Sequence, residues 1–399
     1  MPFLRGAGSG HPARPGAALV KKRGFCPKLA RRAKQCFAAR HRLALWRRGT
    51  SLCLRYPLGP LHELGSISID GRFLRASGRW TAPALLAVFL CSLAATARAS
   101  ELFVSNEVDD TVTVLNGETY KIIATIPTDQ RPRGIFATPD HKYVLVCDGD
   151  SHNIDVIDTR TLKVVRKIET GPDPETLAMS PSGDKVYVSN ENNALVTIID
   201  FATGKWITQI PVGIEPEGLG VSRHGHTVVV VSETTSMAHF IDTKTWKVVA
   251  NILVDTRPRI AQFTRDYREL WVSSEVGGTV SVINPATHRI VHIINFHIPG
   301  VDKEYIGPVG VRFTPDDRTA FVALGRANRV AVVNPKTYQV EKYILVGQRP
   351  WQIAFSPHHK RLFVVNGLTN DVTIIDVASL QAVKSVPVGR LPWGIAVIP

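Results

Sequence analysis

Residues 171–220 read GPDPETLAMSPSGDKVYVSNENNALVTIIDFATGKWITQIPVGIEPEGLG, and the stretch closes on the phrase that opened it. Gly171-Pro172-Asp173-Pro174-Glu175 returns 42 residues later as Gly213-Ile214-Glu215-Pro216-Glu217. Between the two phrases lie Val186-Tyr187-Val188-Ser189, Leu195-Val196-Thr197-Ile198-Ile199 and Trp206-Ile207-Thr208-Gln209-Ile210. Each run is short, rich in Val, Ile and aromatics, and bounded by turn residues, as strands are. With the run after the proline, that makes four strands per unit of 42 residues.

Outward from this stretch the same proline recurs as Pro132, Pro174, Pro216, Pro258, Pro308, Pro350 and Pro392. The steps are 42, 42, 42, 50, 42 and 42, so one unit carries an eight-residue insertion, near Phe296–Tyr305. A second marker keeps register: Asn116-x-x-Thr119, Asp158-x-x-Thr161, Asp200-x-x-Thr203, Asp242-x-x-Thr245, Asn284-x-x-Thr287, Asn334-x-x-Thr337 and Asp376-x-x-Ser379. Asp and Asn in such places accept hydrogen bonds from backbone NH groups just ahead and set a turn. Turns such as Ser180-Pro181-Ser182-Gly183 add a third marker, since proline presets φ at the second position.

A fixed period with four short strands per unit predicts an all-β fold, a seven-bladed β-propeller with four antiparallel strands per blade. Six whole units run from 130 to 389. Residues 101–129 supply three strands without a first, and 391–397 supply a first strand without the rest. The two halves complete one blade and close the ring, removing the open edges a linear array would leave.

The chain has 48 basic and 34 acidic residues, a net charge of +14, but the excess is local. Residues 1–100 hold 18 of the basic residues and two acids, leaving 30 basic against 32 acidic beyond. The propeller is therefore nearly neutral, which argues against nucleic acid as a partner. Arg72, Arg75 and Arg79, the apolar run Ala82–Leu93 and Ala97-Arg98-Ala99 give 72–99 the layout of a cleavable secretory signal ending near Ala99. The apolar run is too short to span a bilayer. Residues 1–71, Arg-rich and acid-poor, are open to three explanations: a start assigned too far upstream, a disordered leader, or a transit peptide. The expected product is periplasmic or secreted and monomeric, with 100–399 as its propeller and no membrane span after signal removal.

Phe103-Val104-Ser105-Asn106, Tyr187-Val188-Ser189-Asn190 and Phe363-Val364-Val365-Asn366 resemble the motif of YVTN-family β-propeller repeats. Strings that break the repeat, such as Ser232–Phe240, Trp271-Val272-Ser273-Ser274-Glu275 and Phe321-Val322-Ala323-Leu324-Gly325, resemble the branch associated with PQQ-dependent catabolism. The resemblance implies an exported, non-enzymatic propeller that binds a protein partner or small ligand in alcohol oxidation. A quinoprotein dehydrogenase or its cytochrome is the implied partner. It supplies no catalytic residue. Two other readings stay open: a seven-bladed lactonase-type hydrolase with its site at the channel mouth, and a structural or surface-layer repeat protein.

No metalloprotease, nucleophile-elbow or phosphate-loop pattern is present. Cys147 aligns with Ser105, Ser189 and Ser273 as a small buried strand residue. The functional signal is positional. In propellers of this type, the loops before first strands and those joining second to third strands share one face of the channel. Around that mouth the sequence places Arg131 and Arg133, Asp173 and Glu175, Glu215 and Glu217, Arg257 and Arg259, Val309, Arg349 and Trp351, Leu391 and Trp393, with Glu107, Glu191, Glu233 and Glu275 beside them. His239 joins the set because it falls in a strand where other units have Thr, Ser or Asp. Pairs such as Arg133 with Glu175 and Glu217 with Arg259 are expected as exposed ion pairs, which contribute only about 0–1 kcal/mol each. Two adjacent acidic blades would still invite a cation, an amine or a basic patch. No cofactor is expected, and a divalent cation at the mouth is the one open alternative. The insertion is expected to overhang this face as a lid, a docking tab or an idle loop.

Overall fold

The computed structural model describes residues 99–399. The readings of 1–71 as a leader and of 72–99 as a signal sequence fall outside the described residues, Ala99 excepted. Among the described residues there are seven four-stranded sheets, all antiparallel, and two short 3₁₀ turns, Glu191–Asn193 and Lys303–Tyr305. No helix among them is long and apolar enough to cross a membrane.

We number the blades from the closing one. Blade 1 joins Pro392–Ile398 to Glu101–Asn106, Thr111–Asn116 and Ile122–Pro127. Glu101 pairs with Ile398 and Phe103 with Ala396, so the two chain ends share one ladder. Blades 2 to 7 begin at the marker prolines Pro132, Pro174, Pro216, Pro258, Pro308 and Pro350. First strands of consecutive blades lie side by side around the axis, and that of blade 1 touches those of blades 7 and 2. The ring is closed.

Burial explains the strand patterns. Second and third strands are sandwiched between neighbouring blades and are buried on both faces, as in Tyr143–Asp148 and Asn153–Asp158. Fourth strands form the rim and alternate, as in Lys163–Glu169. One apolar cluster fills each of the seven blade-to-blade interfaces. Between blades 5 and 6, Trp271 meets Phe313 edge-on, with ring centroids 4.9 Å apart.

The second marker does what its chemistry predicts, and it adds a bond one residue further on. Thr161 N–H donates to Asp158 at 2.7 Å and Thr245 N–H to Asp242 at 2.7 Å, and the other units repeat the bond. At the axis, glycine follows the residue after the marker proline in four blades. A Cβ on Gly218 would stand 2.4 Å from the Arg259 carbonyl oxygen, so glycine lets the inner strands close up.

The insertion departs from expectation. Phe296, Ile298 and Ile306 are buried in the cluster between blades 5 and 6. Only part of the segment faces out, with Tyr305 55% exposed. It is anchored by its own apolar side chains instead of hanging free.

Candidate functional site

The backbone sets the mouth before any charge does. The residue ahead of each marker proline has a left-handed φ, between 49° and 66°: Arg131, Asp173, Glu215, Arg257, Gly307, Arg349 and Leu391. For a non-glycine residue that conformation costs roughly 1–2 kcal/mol. It is held in every blade by one bond. The carbonyl of that residue accepts the N–H of Gly149, Glu191, Glu233, Glu275, Gly325, Gly367 and Glu107 in turn, all in second-to-third-strand loops. The two classes of loop therefore form one rigid rim on a single face.

The residue after each proline stands at the start of a first strand, and the first strands lie side by side around the axis. In ring order these residues are Trp393, Arg133, Glu175, Glu217, Arg259, Val309 and Trp351. They close into a girdle. The Arg133 guanidinium lies 5.3 Å from the Trp393 ring centroid and pairs with Glu175. Arg259 pairs with Glu217 at 2.5 Å and lies 5.0 Å from the Trp351 ring. Trp351 stacks on Trp393 at 6.1 Å. Serines on second strands fix the backbone of the next blade's girdle residue: Ser105 Oγ donates to the Arg133 carbonyl and Ser273 Oγ to that of Val309, each at 2.6 Å.

Above the girdle the outer charges interlock. Arg131 reaches Asp173 at 2.7 Å, Glu107 at 3.5 Å and Glu191 at 3.8 Å. Arg257 Nε meets Glu233 at 2.6 Å, and Arg259 also pairs with Glu233. Glu275 is surrounded by Arg259 at 3.2 Å, Arg349 at 2.6 Å and Arg326 at 3.5 Å. Burial opposes ionisation of Glu275, but Arg259 and Arg349 outweigh it and hold the carboxyl below its ordinary value. On the other side of the ring, burial raises Glu175 well above its ordinary value, with Arg133 working against the rise. Burial and the neighbouring Glu217 likewise raise Glu191.

The sequence-predicted residues are thus brought together, with two corrections. The expected pairs form but are not exposed: Arg133, Glu175, Glu217 and Arg259 are all buried. Removing one partner of such a pair leaves an uncompensated charge and typically costs about 3–5 kcal/mol. His239 is not at the mouth. It lies inside blade 4, where Nδ1 meets Asn251 at 2.6 Å and Nε2 accepts the Gly213 N–H at 3.0 Å. Burial lowers its pKa, so it is a neutral residue that pins the loop before Pro216. In other blades an Asn/Thr pair such as Asn106 with Thr113 has that place, and Asn106 likewise accepts the Gly389 N–H. His288, in a turn, packs on Phe240, and His292, on a surface strand, stacks on Tyr338.

Oxygens of Asp173, Glu175 and Glu191 lie within 4.8 Å of one another, the grouping that suits a cation best among the described residues. Arg131 and Arg133 already lie against all three. Sequence reasoning missed Arg326 and the exposed apolar residues Val108, Val276 and Leu368. Each occupies the position after Glu107, Glu275, Gly325 or Gly367, so the repeat register read one residue further points to them.

The fold and this face define a seven-bladed β-propeller. Residues 79–192, under a third of the chain, match the family model described as YNCE-like beta-propeller, so that stretch is similar to that family. No curated protein matches the chain. Among solved structures it resembles Kuenenia stuttgartiensis hydrazine synthase, at 20% identity and TM-score 0.63 over 70% of this chain and 92% of that one. It also resembles a putative 6-phosphogluconolactonase from Bacteroides fragilis, at 17% identity and TM-score 0.65 over 76% and 99%. A functionally unknown protein from Desulfotomaculum acetoxidans is similar at 16% identity and TM-score 0.63 over 74% and 98%. These likenesses are of fold.

Proposed function

We propose that this is an exported, non-enzymatic propeller that docks a protein partner on its charged face, in a PQQ-dependent alcohol-oxidation pathway. The observation that carries the reading is where apolar side chains are exposed. Outside the outermost strands, the exposed large apolar residues among those described are Val108, Ile214, Val276, Tyr305 and Leu368. All five stand in loops of the mouth face, and the loops of the opposite face contribute none. Apolar and Tyr side chains set among Arg257, Arg326 and Arg349 have the composition of a protein-binding surface. The paired charges beneath cannot rearrange cheaply, so they present a fixed pattern that would orient a partner. The sequence resemblance points to a quinoprotein dehydrogenase or its cytochrome as that partner.

The test is affinity capture from the periplasm of alcohol-grown cells, with the wild type beside the Ile214→Asp, Tyr305→Ser, Leu368→Asp triple variant. The expected result is capture of a quinoprotein dehydrogenase or its cytochrome by wild type, and loss of it in the triple variant at near-unchanged Tm. Undiminished capture by the triple variant would place docking elsewhere. A lactonase reading draws on Asp173, Glu175 and Glu191 as ligands of a divalent cation. It requires that the cation displace Arg131, and it predicts metal-dependent turnover across a lactone panel that is lost in Glu191→Gln.

A further inference from the structure

Below the girdle, on the side away from the docking face, the central channel widens into a cavity of about 360 Å³. That is within the range of small-molecule sites, on the order of 300–1,000 Å³. Trp393 is in its wall, and Arg223 and Arg265 stand where first-to-second-strand loops open it to solvent. The chemistry of the lining is the reverse of the mouth. Three arginines line it, Arg223, Arg265 and Arg312, and no aspartate or glutamate does.

Arg312 is the unusual member. It lies in the first strand of blade 6, where the equivalent residues of the other blades are Phe136, Ala178, Gly220, Gln262, Ala354 and Ala396. Its Nη1 donates to Gln262 Oε1 at 2.9 Å and to the Val311 carbonyl at 2.8 Å. Both acceptors are neutral, and no carboxylate pairs with it among the described residues. Enclosure by the channel wall pushes its pKa down to about 10, with no opposing acid. The guanidinium is part-buried against the channel wall, and a charge enclosed in this way is normally paired, because desolvating it alone is expensive. Every other arginine turned toward the channel axis, at the mouth, has its carboxylate.

We propose that this cavity binds a small carboxylate, with the Arg312 guanidinium as its anchor. The guanidinium fork matches a carboxylate in two parallel hydrogen bonds. Gln352 offers a further polar contact from the wall. Phe136, Leu177, Met179 and Ile260 supply apolar wall for a hydrocarbon body, which favours an organic carboxylate over inorganic phosphate. Arg223 and Arg265 at the opening would raise the local concentration of anions. The site is separate from the docking face and does not depend on it.

Calorimetric titration of the purified protein with hexanoate, benzoate and inorganic phosphate tests this. The expected result is saturable binding of a carboxylate, tighter at low salt. Arg312→Gln weakens it at least tenfold while leaving Tm unchanged or raised, and Arg312→Lys retains part of it. If Arg312→Gln does not fold, Arg312→Met supplies the same comparison. Carboxylate binding that survives loss of the guanidinium, or the absence of any carboxylate binding, overturns the proposal. Phosphate binding tighter than both carboxylates also overturns it.

Discussion

Two residues show how a regular position becomes informative when its chemistry changes. Asp148 stands where blades 1, 3 and 7 have Asn106, Asn190 and Asn366, and it is fully buried. Burial, then repulsion from Asp155, raises its pKa to about 9. An acid with a raised folded pKa binds its proton more tightly when folded. Its stabilisation is therefore present at low pH and is lost as pH rises from its unfolded value, near 3.8, toward 9. Asp148→Asn restores the amide of the sister blades. We expect it to raise stability by about 1–3 kcal/mol at pH 8 and to have much less effect at pH 5, as read by urea unfolding at both values. Arg259 is the opposite case. Truncation to Ala leaves Glu217, Glu233 and Glu275 underpaired and is expected to cost about 3–5 kcal/mol. Arg390, whose pair with Asp109 is mostly exposed, should cost about 0–1 kcal/mol on the same substitution. Thermal unfolding of the two variants side by side checks the contrast. The sequence named Glu217 as a partner of Arg259 but not the burial of the pair, because depth depends on how closely seven first strands approach the axis.

At the scale of elements, loops and strands differ in how readable they were. Strands and turns follow from short runs rich in Val, Ile and aromatics and from Asp/Asn-x-x-Thr markers, which act within a few residues. The mouth was legible as a set of positions, since every marker proline carries its neighbours to the same face. The insertion was not. Its string Phe296–Tyr305 looks like a polar surface loop with scattered apolar residues, and nothing local says which of them fold inward. Ile306 is fully buried, while its neighbour Tyr305 is exposed. Ile306→Ala should therefore cost about 2–5 kcal/mol, the usual range for opening a cavity in a packed core. Tyr305→Ser should change stability by less than about 0.5 kcal/mol. Chemical denaturation of each variant separates the anchor from the exposed tip.

At the scale of the molecule, the ring depends on one blade built from both chain ends. Only the ladder between Glu101–Asn106 and Pro392–Ile398 makes the closure covalently indirect, and every other blade is continuous. Removing residues 391–399 strips blade 1 of its inner strand and exposes the edge of Glu101–Asn106. It also takes Trp393 from between Trp351 and Arg133, opening the girdle. Unpaired strand edges invite association. Such a truncation is expected to lose the single cooperative transition of the intact ring and to aggregate on heating. A synthetic peptide of residues 390–399 should dock on that edge by strand addition and restore a sharper, later transition. A scrambled peptide of the same composition should not. Calorimetry of the truncated chain with either peptide reads the difference. A truncated chain that still melts sharply at the intact temperature would mean that the inter-blade clusters, and not the shared blade, hold the ring closed.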